Sequence, residues 1–318
     1  MILLLGSSGY LGRAFQTILD QRGEKYTTLP RSEANHTRFS SLTEWLRVHQ
    51  PEFVINAAGY TGRPNVDACE KARGETLDGN VLWPIALAHA CSLLEIPFGH
   101  VSSGCLYNGA YLNGAHGWNV ETDLTQDVVG EIINRSPNMI RGFSEDDAPN
   151  FTFRQSKCSF YSGSKALAEE AIADLGECYL WRPRLPFDHF DHPKNYLSKL
   201  LRYEKLYSNV NSLSHRMDFA NACLDCWKQR VPFGIYHVTN PGYVTTSEVV
   251  ERIQEILRPD KAFAFWKNDL EFYTHAADAA RSNCILETNK LIEAGVQMRP
   301  VKEALEEALR FWKPEHLH

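Results

Sequence analysis

The chain has 318 residues, 43% of them hydrophobic, and a net charge of −6 without a long basic block. That length suits one large or two modest domains, and the charge gives nucleic acid or an anionic membrane nothing to attach to. No apolar run approaches the length of about 20 residues that spans a bilayer, and the opening MILLL is too short for a secretion signal, so a cytoplasmic location is expected.

Strand and helix patterns alternate through the first half. Residues 1–5 form a short apolar run, followed by a helix pattern from Leu11 to Arg22. KYTTL reads as a second strand, SLTEWLRVHQ as a helix and FVINAA as a third strand. VLWPIALAHACSLL, PFGHVSS, SKALAEEAIADL and CYLWRPR continue as helix, strand, helix and strand. Such alternation means a parallel sheet wrapped by helices on both faces, a doubly wound α/β fold of the Rossmann type. Residues 1–185 are expected to form this domain, with 107–144 an insertion that lacks a clear period and serves as a lid or added module. Residues 186–318 are expected to form a smaller, mainly substrate-binding lobe that returns in part to the main sheet. Its helices are placed near 194–205, 215–229, 246–257, 286–294 and 301–312. The eight cysteines are irregularly spaced. Cys223 and Cys226 lie in a helix pattern and no second pair completes a zinc site, so reduced thiols and no metal centre are expected.

Gly6, Gly9 and Gly12 follow the first strand and open a helix in LLLGSSGYLGRAF. Glycine lets the backbone turn sharply and approach a pyrophosphate, whose charge then meets free N–H groups at the helix start. Ser8, Tyr10 and Leu11 in this turn, and Asn56, Ala57 and Ala58 after the third strand, are candidate dinucleotide contacts. Arg31, just past the second strand, suits a ribose 2′-phosphate, so NADP(H) is expected as cofactor and NAD(H) is the other candidate. Arg13 is a further candidate for that phosphate.

Tyr161 and Lys165 are four apart at the start of a helix pattern, which places them on one face. An ammonium beside a phenol lowers its high pKa and fits it for proton exchange with a carbonyl oxygen during hydride transfer. Together these motifs resemble the short-chain dehydrogenase/reductase superfamily, in its extended, sugar-nucleotide branch. The resemblance implies a serine at the end of the fourth strand, and VSSG supplies Ser103, with Ser102 its neighbour.

NAAGYTGRPNVDACE, GNVLWPIALAHAC, VSSGCLYNG, FYSGSKALAEE, RPRLP, NYLSKLLRYEKL and RSNCILETNKL narrow the match. Together they are similar to the nucleotide-rhamnose synthases, the UDP-4-keto-6-deoxyglucose 3,5-epimerase/4-reductases, which are related to dTDP-4-dehydrorhamnose reductase. The resemblance implies a nucleotide-diphospho-sugar substrate and an epimerisation pair, Cys105 and Lys199, beside the reducing set Ser103, Tyr161 and Lys165. A ketone acidifies both neighbouring carbons, and inverting them takes a base and an acid flanking the ring. Histidines His189 and His192 compete with Lys199 for the second place. Arg63, Asn65, Gly104, Asn195 and Arg281 are further substrate-contact candidates. The alternatives are a 4-ketoreductase alone, with Cys105 a bystander, and a non-catalytic nucleotide-binding regulatory subunit. A homodimer is compatible with either.

Overall fold

The structure is a computed structural model that describes residues 1–29, 39–155 and 157–314. Six parallel strands form the central sheet: β1 (Ile2–Leu5), β2 (Tyr26–Thr28), β3 (Phe53–Asn56), β4 (Phe98–Val101), and two later strands, Cys178–Arg182 and Gly234–His237. The order across the sheet is β2, β1, β3, β4, Cys178–Arg182, Gly234–His237. The chain leaves β1 toward one side, and the connection after β2 crosses to the other. The switch point therefore lies between β1 and β3, where a doubly wound sheet opens a crevice for a ligand.

Alternate residues of each strand enter opposite cores. Ile2 and Leu4 of β1, with Phe53 and Ile55 of β3, pack with Phe15 and Ile18 of α1 (Tyr10–Gln21) and with Phe219 and Leu224 of Arg216–Lys228. Leu3, Leu5 and Val54 pack instead with Leu42 and Leu46 of α2 (Phe39–His49) and with Leu87 and Cys91 of Trp83–Leu93. Two short helices, α3 (Asp67–Lys71) and α4 (Arg73–Leu77), lead through a wide turn at Asp78–Leu82 into α5 (Trp83–Leu93). Cys223 and Cys226 are both buried and face the first core, the packing role expected of a small apolar side chain.

Residues 107–144, expected without regular structure, carry their own. β5 (Ala110–Gly114) pairs antiparallel with β6 (Gly117–Glu121) and, on its other edge, with β7 (Ile140–Arg141), while α6 (Gln126–Arg135) lies between β6 and β7. This small sheet is tied to the 284–286 segment through bridges Gly109–Cys284 and Phe143–Leu286.

α7 (Phe160–Ile172) is capped by Ser159, whose hydroxyl accepts from the Ser162 N–H at 3.1 Å. It leads into β8 (Cys178–Arg182). Beyond it, α8 (Tyr196–Arg202) belongs to a separate core with helices 246–256 and 301–310, filled by Leu197, Leu200, Val249, Ile253 and Leu305. α9 (Arg216–Lys228) and β9 (Gly234–His237) return to the main sheet between these lobe segments. A helix at Asp269–His275 was not among those expected.

A buried ion pair joins α7 to β8. Arg182 Nε lies 3.0 and 3.1 Å from the two Glu169 carboxylate oxygens, and its Nη1 donates to Tyr107 Oη at 2.8 Å. The Ser102 hydroxyl donates to the same carboxylate. Removing one partner strands a buried charge, so Glu169→Ala is expected to cost about 3–5 kcal/mol, read as a lower midpoint in urea denaturation.

Candidate active site

The turn after β1 needs its glycines. Gly6 has φ +75°, and a β-carbon there would lie 2.4 Å from Ala58 N. One on Gly12 would lie 2.0 Å from the Gly6 carbonyl oxygen. The turn is thus pressed against the loop after β3, and α1 begins at its end with no acidic residue in its first turn. Gly9, Tyr10, Leu11, Ala57 and Ala58 line a cleft of about 1130 Å³. Backbone N–H groups at a helix start, with Gly9 at its cap position, fit a dinucleotide pyrophosphate.

Two cofactor candidates lie off the main cleft. Asn56 is fully buried; its amide lies 3.0 Å from His100 Nδ1 and its oxygen accepts from Ala58 N at 3.1 Å. It shapes the loop and does not face the cleft. Ser8 lines a separate, shallow hollow with Arg13, Gln16 and Asp20. Arg31 lies outside the described residues.

Three elements bring the reducing set together. β4 ends at Val101, and the chain turns so that Ser103 caps a short 3₁₀ turn, its hydroxyl accepting from Cys105 N at 3.1 Å. Ser103 hydrogen-bonds Tyr161 of α7. One helical turn on, Lys165 is buried and donates to the Val101 carbonyl at 3.0 Å. Burial brings the Lys165 ammonium down to about 8, against the opposing pull of Glu169. The Tyr161 phenol is pushed up, first by burial and then by Cys105. The lowering expected from Lys165 does not appear among the influences on the phenol; the groups that lower it are Ser103 and Arg184, and desolvation of the phenolate outweighs them. Tyr161 therefore stays a neutral phenol, poised as an acid. Ser102, engaged with Glu169, leaves Ser103 as the serine that meets the tyrosine.

Cys105 and Lys199 line the same cleft as Ser103, Tyr161 and Lys165. Lys199, from the middle of α8, is brought down to about 8 by burial first and by the charge of Lys194 second. His189 and His192 do not line the cleft. The His192 ring stacks on Tyr10 at 4.7 Å, and His189 lies 3.8 Å from Asp188, a carboxylate paired with Arg216. Among the described residues no three potential metal ligands cluster.

The substrate candidates divide. Arg63 and Asn65 line the cleft, Asn65 also accepting from Asp67 N at 2.9 Å. Arg281 lines it too, but its guanidinium is held by Asp67 through two bonds of 2.7 Å, a brace between α3 and the lobe. Gly104 and Asn195 do not line the cleft. The Gly104 N–H donates to Pro183 O at 2.8 Å, and a β-carbon there would strike Leu286. Asn195 is fully buried, caps α8 through Leu197 N at 2.9 Å and donates to the Asp188 carbonyl at 2.8 Å. Two cations were missed: Arg184, which touches Cys105, and Lys194, which reaches Thr61 and Gly62. The second arginine of RPRLP, placed at the end of a strand opening on the cleft, was the available signal for the first. Among the described residues of 107–144 none lines the cleft.

A phenol and an ammonium from one helix, set beside a glycine turn at a sheet's switch point, mark a class: the Rossmann-type short-chain dehydrogenases/reductases. Within it the chain belongs to the RmlD substrate-binding domain family, whose model matches residues 1–313. It is 30% identical over 305 residues to the bifunctional dTDP-4-dehydrorhamnose 3,5-epimerase/dTDP-4-dehydrorhamnose reductase of Arabidopsis thaliana, covering 95% of this chain and 90% of that protein. Trifunctional relatives from the same plant, 28 to 29% identical, are longer, and the chain spans 40 to 41% of their length. Among solved structures, the UDP-rhamnose synthase L780 of Acanthamoeba polyphaga mimivirus superposes with a TM-score of 0.81 at 22% identity, covering 98% of both chains. A Bacillus anthracis dTDP-4-dehydrorhamnose reductase in complex with NADP gives 0.73 at 19% identity, covering 97% of this chain and 96% of that one.

The glycine turn sets a direct test. Gly12→Ala places a β-carbon against the Gly6 carbonyl and is expected to weaken NAD(P)H binding at least about tenfold, a loss of about 1.4 kcal/mol, measured by fluorescence titration.

Proposed function

We propose that the chain is an NADP(H)-dependent 3,5-epimerase/4-reductase of a nucleotide-linked 4-keto-6-deoxyhexose, giving a nucleotide deoxysugar such as UDP- or dTDP-L-rhamnose. The observation that carries this reading is the presence of a thiol and a second lysine, Cys105 and Lys199, in the cleft that holds Ser103, Tyr161 and Lys165. The similarity to a bifunctional plant epimerase/reductase supports the same reading.

The cleft suits a diphosphate. Arg63, Lys194 and Lys199 line it together with Arg202, Lys205 and Arg281, the last three paired with Asp191, Glu271 and Asp67, although the chain as a whole carries −6. Such a concentration of cations draws an anionic ligand inward. Tyr207, Trp266 and Phe272 add aromatic surface that suits a nucleotide base.

The bound cofactor supplies the hydride for C4. Ser103 and Tyr161 bind the ketone oxygen and orient it. Tyr161, neutral through burial, donates a proton to that oxygen as it gains charge, and the same two donors stabilise an enolate when a neighbouring carbon loses its proton. Cys105 and Lys199 exchange protons with C3 and C5. Lys165 fixes the site by tying α7 to the end of β4.

Incubation with NADPH and UDP- or dTDP-4-keto-6-deoxyglucose in D₂O is expected to oxidise the cofactor and place two solvent deuteriums in the product. Cofactor oxidation without deuterium at C3 and C5 makes the chain a reductase only, and binding without turnover makes it non-catalytic. Tyr161→Phe is expected to lower reduction about 10²–10⁴-fold, while Cys105→Ala abolishes deuterium entry at one or both carbons with cofactor affinity unchanged. Because Lys199 must be protonated to act as the acid, deuterium entry should fall as pH rises through about 8. A profile flat across that point removes the lysine from this role.

A further inference from the structure

Arg184 follows β8 and is 2% exposed. Its backbone is held on both sides: the N–H donates to Ser214 Oγ at 3.0 Å and the carbonyl accepts from Ser214 N at 2.7 Å. Its guanidinium donates to Cys105 Sγ at 2.8 Å, to Asn211 Oδ1 at 2.6 Å and to the Ser282 carbonyl. Nε has no partner. Among the described residues no carboxylate contacts it, whereas the equally buried Arg182 has Glu169. An unpaired charge in such a place costs several kcal/mol or more. The group able to become its counter-ion is the thiol it touches.

We propose that Arg184 is the counter-ion of a Cys105 thiolate, a positioning residue that holds the sulfur ionised and aimed into the cleft. This rests on the epimerase reading for its use, though not for its existence. The titratable and charged groups that sense charge on the sulfur are Tyr161 and Lys165 from α7, Lys199 from α8, Arg184 after β8, and Cys284 from the segment behind it, and of these Arg184 contacts it. Cys284 is fully buried and contacts the Gly104 carbonyl at 3.4 Å, so Cys105 is the sulfur with access to substrate.

The step balances within the cleft. The thiolate takes the proton from a carbon beside the ketone; an S–H bond forms, a C–H bond breaks and the electron pair moves to the ketone oxygen as an enolate. The Lys199 ammonium returns a proton to the opposite face, an N–H bond breaking as the new C–H bond forms. Exchange with solvent then takes the proton from sulfur and restores the ammonium. Arg184 stays charged throughout. Lysine in its place keeps the charge but not the forked contact with Asn211 and Ser282.

Alkylation of Cys105 by iodoacetamide, followed on the full-length chain by peptide mass spectrometry, tests the pair. The thiolate alone reacts, so a paired Cys105 is expected to change its rate less than about twofold between about pH 6 and pH 8, whereas an unpaired thiol rises about tenfold per pH unit. That steep rise in the unmodified protein overturns the proposal. Arg184→Met is expected to restore the rise, and Arg184→Lys to keep a profile flatter than Arg184→Met. A Met variant as flat as the parent also overturns it, and if the Met variant fails to fold, the parent and the Lys variant decide. Deuterium entry is scored separately: a flat alkylation profile without entry upholds the ion pair and rejects the epimerase, while entry with a steep profile does the reverse.

Discussion

The close approach of two backbone turns at the switch point of the sheet is the constraint from which the rest follows. Gly6 and Ala58 come so near that a single β-carbon would lie 2.4 Å from the next backbone nitrogen. That contact is possible because β1 and β3 are adjacent and parallel, in register from Ile2–Phe53 to Leu5–Asn56. It brings the start of α1 and the loop 57–63 to one mouth. The buried Asn56, bonded to His100 and to Ala58 N, holds the second turn in place. A glycine turn without this backing would be an ordinary tight turn; with it, Gly9, Tyr10 and Leu11 line a cleft whose other wall includes Lys194, Lys199 and Arg281 of the lobe.

Behind the cleft, buried charge does the joining. Glu169 lies one turn below Lys165 on α7 and accepts from both Ser102 and Arg182. One carboxylate thus links the helix that carries the tyrosine and lysine to the serine loop after β4 and to β8. Arg182 continues the chain to Tyr107, whose hydroxyl donates to the Asp147 carbonyl at 2.8 Å, so the inserted sheet is fastened to the same network. A buried pair of this kind adds little net stability but penalises any arrangement that separates its members. The orientation of Tyr161 relative to Ser103 depends on it.

The sequence was most legible where the signal was local. Short apolar runs marked β1, β3, β4 and β8, the glycine spacing marked the turn, and the four-residue spacing placed Tyr161 and Lys165 on one face. The inserted sheet was not legible, because its pairing depends on segments far apart: β5 reaches β7 across α6, and Phe143 pairs with Leu286. Gly104 and Asn195 sit beside active-looking neighbours, yet the first meets Leu286 and the second caps a helix. Sequence adjacency does not say which way a side chain turns. Arg184 was legible only in part: its place after a strand pointed to the cleft, while its burial without a carboxylate partner, which reveals its demand for an anion, is visible only in the structure.

Electrostatics then separates two kinds of cation in one cleft. Lys165 and Lys199 are brought down to about 8 by burial, which in Lys199 suits a group that hands a proton on. Arg184 keeps its charge, which suits a fixed counter-ion. A structure of the chain with NADP⁺ and UDP- or dTDP-L-rhamnose tests the central claim, that both chemistries share one sugar ring. The account predicts the ring oxygen substituent at C4 within hydrogen-bond reach of Ser103 Oγ and Tyr161 Oη, with Cys105 Sγ and Lys199 Nζ on opposite faces. A sugar bound with both of those groups on one face, or away from Cys105 altogether, contradicts it.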